Sequence, residues 1–159
     1  MKTLLALLLG FSANAYEPLG AWSSTPIELR KSRPQKLERL VAESAYLITE
    51  FSSGEVSFTR GVNGISVSRG NIRPYLGLTL LWIKDDKIIS AEIVVSKSLK
   101  LRGADLITVK LVLLHEMLHA IGLGHSSDSH SILYPIILKG QSVTQDDIDG
   151  IAFLYGGAE

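Results

Sequence analysis

Residues 115–125 read His-Glu-Met-Leu-His-Ala-Ile-Gly-Leu-Gly-His, which places three of the chain's four histidines and a glutamate in one short stretch. Imidazoles and carboxylates are the side chains that bind divalent transition metals and move protons near neutral pH. The spacing adds geometry. Residues four apart on an α-helix lie one turn above each other, so His115 and His119 can present their rings side by side to a single ion. Glu116 is rotated about 100° from His115, too far round for an easy third ligand but near the open side of the ion. Gly122 can take a left-handed backbone conformation at little cost, ending the helix and turning the chain sharply. That turn would bring His125 back to complete a three-histidine site. Zinc prefers tetrahedral nitrogen ligands, and three protein ligands leave a fourth position for water, as in a catalytic centre.

The competing reading is a buried helix whose histidines are satisfied by hydrogen bonds. Leu111, Val112, Leu113, Leu114, Met117, Leu118, Ala120 and Ile121 would indeed bury most of this segment. Three histidines and a glutamate in such a core would carry a desolvation cost with nothing but a metal to offset it. The metal reading is therefore the stronger one.

Several elements must position that helix. Thr25 to Arg30 alternates apolar and polar residues, as a short strand does, after a loop containing Trp22. Ser32 is expected to cap a helix entered through Pro34, and Leu37, Leu40, Val41, Ala45, Ile48 and Phe51 make it amphipathic to about Phe51. Gly54 follows its end. Val56 to Thr59 and Ile65 to Ser68 read as strands separated by the Gly61–Gly64 turn. Leu78 to Ile83 and Ile88 to Ser96 read as a hairpin joined around Asp85-Asp86. Those two aspartates could help bind calcium, but a solvated turn is the better reading. Thr108 or Asp105 is expected to cap the histidine helix. Thr144-Gln145-Asp146-Asp147 resembles a capping box opening a last helix to about Tyr155, stopped by Gly156-Gly157. The order predicts an α+β domain with a twisted mixed sheet, an N-terminal helix, an active-site helix and a C-terminal helix, not an alternating βαβ chain.

Composition bounds the partners. The 16 basic and 16 acidic residues cancel, so no electrostatic case exists for nucleic acid or an anionic membrane. A monomer is expected. The Arg30-Lys31-Ser32-Arg33 cluster reads as a solvated loop. At the N-terminus, Lys2, the apolar run Leu4 to Phe11 and Ala13-Asn14-Ala15 read as a secretory signal with an A-x-A cleavage site, against the alternative of an uncleaved tail. Removal of residues 1–15 would leave 16–159, one domain with a substantial core and a secreted destination, extracellular or periplasmic. The absence of cysteine does not contradict this, since a domain of that size can stand without disulfides.

The stretch 115–126 has the form H-E-x-x-H-x-x-G-x-x-H-S and resembles the metzincin metalloproteases, with Ser126 after the third histidine pointing to the matrixins, the matrix metalloproteinases and their bacterial relatives. Ser131-Ile132-Leu133-Tyr134-Pro135 falls where matrixins have their Met-turn, and Val143 to Gly156 is similar to their final helix. The resemblance is strong over residues 104–156 and faint before them.

What it implies is a secreted zinc endopeptidase hydrolysing peptide bonds of protein substrates. His115, His119 and His125 would hold one catalytic Zn2+, and Glu116 would act as general base toward the water. An extended peptide would add to the edge strand around Gly77 to Trp82, and Tyr134 to Ile137 would wall the primary specificity pocket. Leu133 replaces the family methionine as a near-isosteric apolar residue, so zinc binding is expected to survive. Without cysteine, latency through a cysteine–zinc bond is excluded, and with no histidine before His115 a structural zinc is not expected. Tyr134 reads as structural, His130 as a surface residue, and Asp146 and Asp147 as cap and brace for the turn under the metal. The competing function is a zinc-containing binding or inhibitory module that has lost turnover, motivated by Leu133 and the small size. Glu116, which such a module would not need, argues against it.

Overall fold

The computed structural model describes residues 18–138 and 140–156, with the strand 3–6. The proposed cleavage site at Ala13-Asn14-Ala15, and Gly157, lie outside the described residues. The chain runs β1 (Thr3–Ala6), β2 (Ala21–Trp22), β3 (Ile27–Leu29), α1 (Gln35–Phe51), β4 (Phe58–Arg60), β5 (Gly64–Gly70), β6 (Gly77–Lys84), β7 (Lys87–Ser96), α2 (Asp105–Ala120) and α3 (Gln145–Tyr155). One mixed sheet has the order β1-β6-β7-β5-β3-β4, with β2 beside the start of β7. Strands β7, β5, β3 and β4 are mutually parallel, while β6 is antiparallel to both β7 and β1. This is the expected α+β domain, with the antiparallel strands gathered at one side.

The β6–β7 hairpin turns on Asp85 and Asp86, both at positive φ (51° and 59°), as a two-residue hairpin whose turn matches the strand twist requires. Both aspartates are exposed. A register shift between Trp82 and Ile83 changes the phase of β7, so its inward residues run Ile88, then Ala91, Ile93 and Val95, while Ile89 faces outward. Toward β6's other edge, Thr3–Ala6 pairs with Leu80–Ile83.

Helix α1 buries Leu37, Leu40, Val41, Ser44, Ala45 and Ile48, the three-to-four spacing of a surface helix, and packs on α2. Helix α2 is different. Every residue from Val112 to Ala120 is buried, as expected of a helix that is apolar nearly all round and lies between α1 and the β6–β7 face. Those helices and the sheet share one core with Ile132, Leu133 and Ile151 from the C-terminal part.

Three expected boundaries are corrected. Pro34, not Ser32, is the N-cap of α1; the Ser32 backbone N–H instead donates to the Glu38 carboxylate. Ala104 precedes α2, and Asp105 accepts from the Lys100 N–H (2.7 Å) rather than capping the helix. Val56 is not yet strand: the Ser52 hydroxyl receives its N–H (3.1 Å) and holds it in the turn after α1, so β4 starts at Phe58. The box opening α3 is as expected, with the Thr144 hydroxyl (2.9 Å) and N–H (2.7 Å) both donating to Asp147.

Candidate metal centre

Helix α2 ends in a Schellman motif. The Gly122 N–H donates to His119 O (2.9 Å) and the Leu123 N–H to Leu118 O (3.1 Å), with Gly122 at φ +107°. A side chain at Gly122 would also overlap the carbonyl of Gly20, so the position needs glycine twice over. The remaining carbonyls at the helix end are taken by residues that the motif does not contain. The Trp22 indole N–H donates to Ala120 O (2.8 Å) and the Tyr155 hydroxyl to Ile121 O (2.6 Å). Two aromatic side chains from opposite ends of the domain thus fix where the chain turns toward His125.

The turn brings the three histidines together. Ring centroids lie 4.5 Å apart for His115–His119, 4.7 Å for His119–His125 and 5.4 Å for His115–His125. One ring nitrogen from each lies within 4.8 Å of the others, and this is the one such cluster of metal-ligating side chains among the described residues. His115 and His119 are buried, and His125 is half-buried.

The hydrogen bonds of the two helical histidines show what the cluster can hold. Nδ1 of His115 lies 2.7 Å from Ile132 O, and Nδ1 of His119 lies 2.7 Å from Leu123 O. A carbonyl can only accept, so both Nδ1 atoms carry the proton, and both Nε2 atoms of the neutral rings are bare lone pairs. Those Nε2 atoms face each other at 2.9 Å. Two buried acceptors at that distance repel unless a cation lies between them. A tetrahedral zinc with bonds of about 2.0–2.1 Å sets its nitrogen ligands about 3.3 Å apart, a few tenths of an ångström from what is present. Second-sphere carbonyls that fix tautomer and ring orientation are also what ligating histidines need. The donor set fits zinc.

Electrostatics agree with neutral ligands. Burial lowers His115 to about 4, with the charge of His125 adding to the effect and the Ile132 carbonyl opposing it. Burial and the neighbouring histidines hold His119 well below its ordinary value, and burial lowers His125. Metal binding needs the rings unprotonated, so this environment favours it.

The fourth expected site residue, Glu116, points to the sheet. Burial raises its carboxyl to about 7, opposed by a hydrogen bond from Thr79. The Thr79 hydroxyl, itself buried, lies 2.6 Å from Glu116 Oε2, and Gly77 lies against the other carboxylate oxygen. Neither residue belongs to a motif. A signal did exist in the alternation of β6: Gly77, Thr79 and Leu81 share the inward face, where a buried hydroxyl must have a partner.

Below the histidines, the stretch Ser131–Pro135 forms the expected turn around a leucine. Leu133 is fully buried, its N–H donates to Ser131 Oγ (2.9 Å) and its carbonyl accepts from the Ser126 N–H (3.0 Å). Helix α3 braces this turn. Ser131 Oγ donates to Asp147 Oδ1 (2.6 Å), and Ser126 Oγ donates to Asp146 Oδ2 (2.8 Å). Asp147 is therefore connected through Ser131 to the same turn whose Ile132 carbonyl orients His115. Leu133, which motivated the non-catalytic alternative, sits in a fully formed turn. His130 is exposed and pairs with Asp128 (3.1 Å), apart from the cluster, and Tyr134 joins the turn through its N–H to Ser131 O (3.2 Å).

Comparison with known proteins places this geometry in context. The family model described as Matrixin matches residues 38–156, reaching well upstream of the stretch in which the sequence resemblance was strong. The chain is 33% identical over 130 residues to macrophage metalloelastase of Oryctolagus cuniculus, covering 79% of this chain and 26% of that protein. It is 52% identical over 48 residues to Metalloendoproteinase 1 of Glycine max (28% of this chain, 16% of that protein) and 46% identical over 46 residues to Matrilysin of Homo sapiens (26% and 17%). The matches thus span about a quarter or less of these relatives' own length.

Proposed function

The chain belongs to the matrixin family, and on that premise we propose that it is a secreted zinc-dependent endopeptidase that hydrolyses peptide bonds of protein substrates. The observation that carries the reading is the pair of buried, unprotonated Nε2 atoms facing each other at 2.9 Å on a helix that also buries Glu116. His115, His119 and His125 would hold the ion. Bound there, Zn2+ supplies Lewis acidity toward water and toward a carbonyl group. Glu116 moves the proton, taking it from the attacking water and returning it to the leaving amine nitrogen. Its carboxyl, raised to about 7 by burial, has a proton affinity matched to that exchange near neutral pH.

An extended substrate would lie along β6, with main-chain hydrogen bonds around Gly77 to Trp82 supplying affinity. Tyr134 to Ile137 would wall the pocket beside it; Ile137 is half-buried against the core and Ile136 is exposed. Strand β1 pairs with Leu80–Ile83 of the same β6. Removal of residues 1–15 as a secretory leader would uncover that part of the strand. No helix among the described residues is long and apolar enough to cross a membrane.

The test is cleavage of casein and a broad quenched-peptide library by the purified protein, with and without a chelator. Chelator-sensitive cleavage restored by added zinc is expected. Zinc-loaded protein that cleaves nothing would overturn the reading. The leader is tested separately by sequencing the N-terminus after export, with Tyr16 expected first; retention of Met1 on exported protein would contradict it.

A further inference from the structure

Strand β6 meets helix α2 at the one side chain whose position the proposed chemistry depends on most. Gly77 and Thr79 lie two residues apart and therefore on the same face of β6, turned toward Glu116. Thr79 Oγ1 is 2.6 Å from Glu116 Oε2 and 3.1 Å from the Glu116 carbonyl oxygen. A methyl built on Gly77 would overlap Glu116 Oε1, Cδ and Cγ. One carboxylate oxygen is thus held by a hydroxyl, and the other occupies space that any side chain at residue 77 would fill.

We propose that Gly77 and Thr79 are positioning residues for the general base, together forming a cradle that fixes the orientation of the Glu116 carboxylate; this rests on the reading of Glu116 as the base. A glutamate side chain has several rotatable bonds, and a base that must reach a water and then a leaving nitrogen loses rate when it samples other rotamers. The Thr79 hydroxyl has a single proton and two acceptors in reach, Glu116 Oε2 at 2.6 Å and the Glu116 carbonyl oxygen at 3.1 Å. The shorter, charge-assisted contact takes the proton and holds the carboxylate in one orientation.

Thr79→Val removes the hydroxyl and keeps the shape. The expected result is a kcat lowered about tenfold, the effect of losing one hydrogen bond to a charged group, with KM within about twofold, one zinc still bound and a melting temperature lowered by about 2–8 °C because buried Oε2 loses its donor. Thr79→Ser should recover most of kcat. Gly77→Ala should also lower kcat, because the atoms it displaces are the flexible end of Glu116 rather than backbone. A crystal structure of the zinc-loaded Thr79→Val variant supplies a readout apart from activity: the Glu116 carboxylate should be rotated away from its wild-type orientation. Added to Glu116→Gln, Thr79→Val should cost almost nothing further, since the two act as a unit. An unchanged kcat in Thr79→Val beside a dead Glu116→Gln overturns the cradle and leaves the base in place. An equal loss from Thr79→Val in both backgrounds also overturns it. Full turnover by Glu116→Gln removes the base itself, and the cradle with it.

Discussion

The two walls of the site are built by different means. On the helix wall, main-chain carbonyls orient the histidines: Ile132 O holds His115, Leu123 O holds His119, and the Gly122 turn delivers His125. On the sheet wall, Glu116 is held by a threonine hydroxyl and by the absence of a side chain at Gly77, both 37 or more residues away in sequence. A wall made of backbone tolerates a change of the side chains that fill it, provided the turn still forms. A wall made of one hydroxyl and one missing methyl does not. The leucine in place of methionine beneath the histidines belongs to the tolerant kind.

Substitutions should separate the walls. The largest effect is expected from His119→Ala. Loss of a mere second-sphere partner costs about 10–100-fold in metal affinity, and loss of a ligand should exceed that, leaving no zinc after dialysis and no turnover. Retention of a full equivalent of metal would contradict the three-histidine site. Next is Asp147→Ala, which strands the buried Ser131 hydroxyl and the half-buried Thr144 N–H. A destabilisation of about 2–4 kcal/mol is expected in denaturant melts, with weaker zinc binding through the loosened turn. A change within about 0.5 kcal/mol, the range of ordinary surface substitutions, would show that α3 does not brace the helix wall.

Acid should act on the two walls in opposite directions. His115, His119 and His125 have folded values below that of the unfolded chain, so below about pH 6.5 the unfolded chain binds more protons and stability falls with acidification, for His115 down to about pH 4. Glu116 works the other way. Its folded value of about 7 exceeds the unfolded 4.5, so between those limits the folded protein binds the extra proton and gains stability as pH falls. Three groups oppose one, and the chelated protein should melt lower at pH 5 than at pH 7. A flat or reversed dependence would mean that the histidines are not buried as described. The smallest effect is expected from Leu133→Met, with stability changed by less than about 1.5 kcal/mol and zinc content and kcat unaltered. A large gain in either would show that the floor of the site is not tolerant after all.

The same division explains what could be read from the sequence. The helix wall is local: His115, His119, Gly122 and His125 act through helical periodicity and one turn, and Thr144 with Asp147 act through a capping box, so spacing alone announces them. The three helices and the β6–β7 hairpin were legible for the same reason. The sheet wall depends on which strand lies over α2, and no periodicity within β6 names its partner across the core. Trp22 and Tyr155, which close the end of α2, are equally invisible, because each meets the helix from a distant part of the chain. Helix caps failed where tertiary contacts competed for the same groups, as at Ser32 and Asp105.

The most direct test of the central claim compares the wild type with Glu116→Gln at equal, measured zinc occupancy on one quenched peptide. One zinc per chain is expected in both proteins, with a rate in the variant lower by about 10²–10⁴-fold, the usual contribution of a general base. Equal rates at equal occupancy would contradict it.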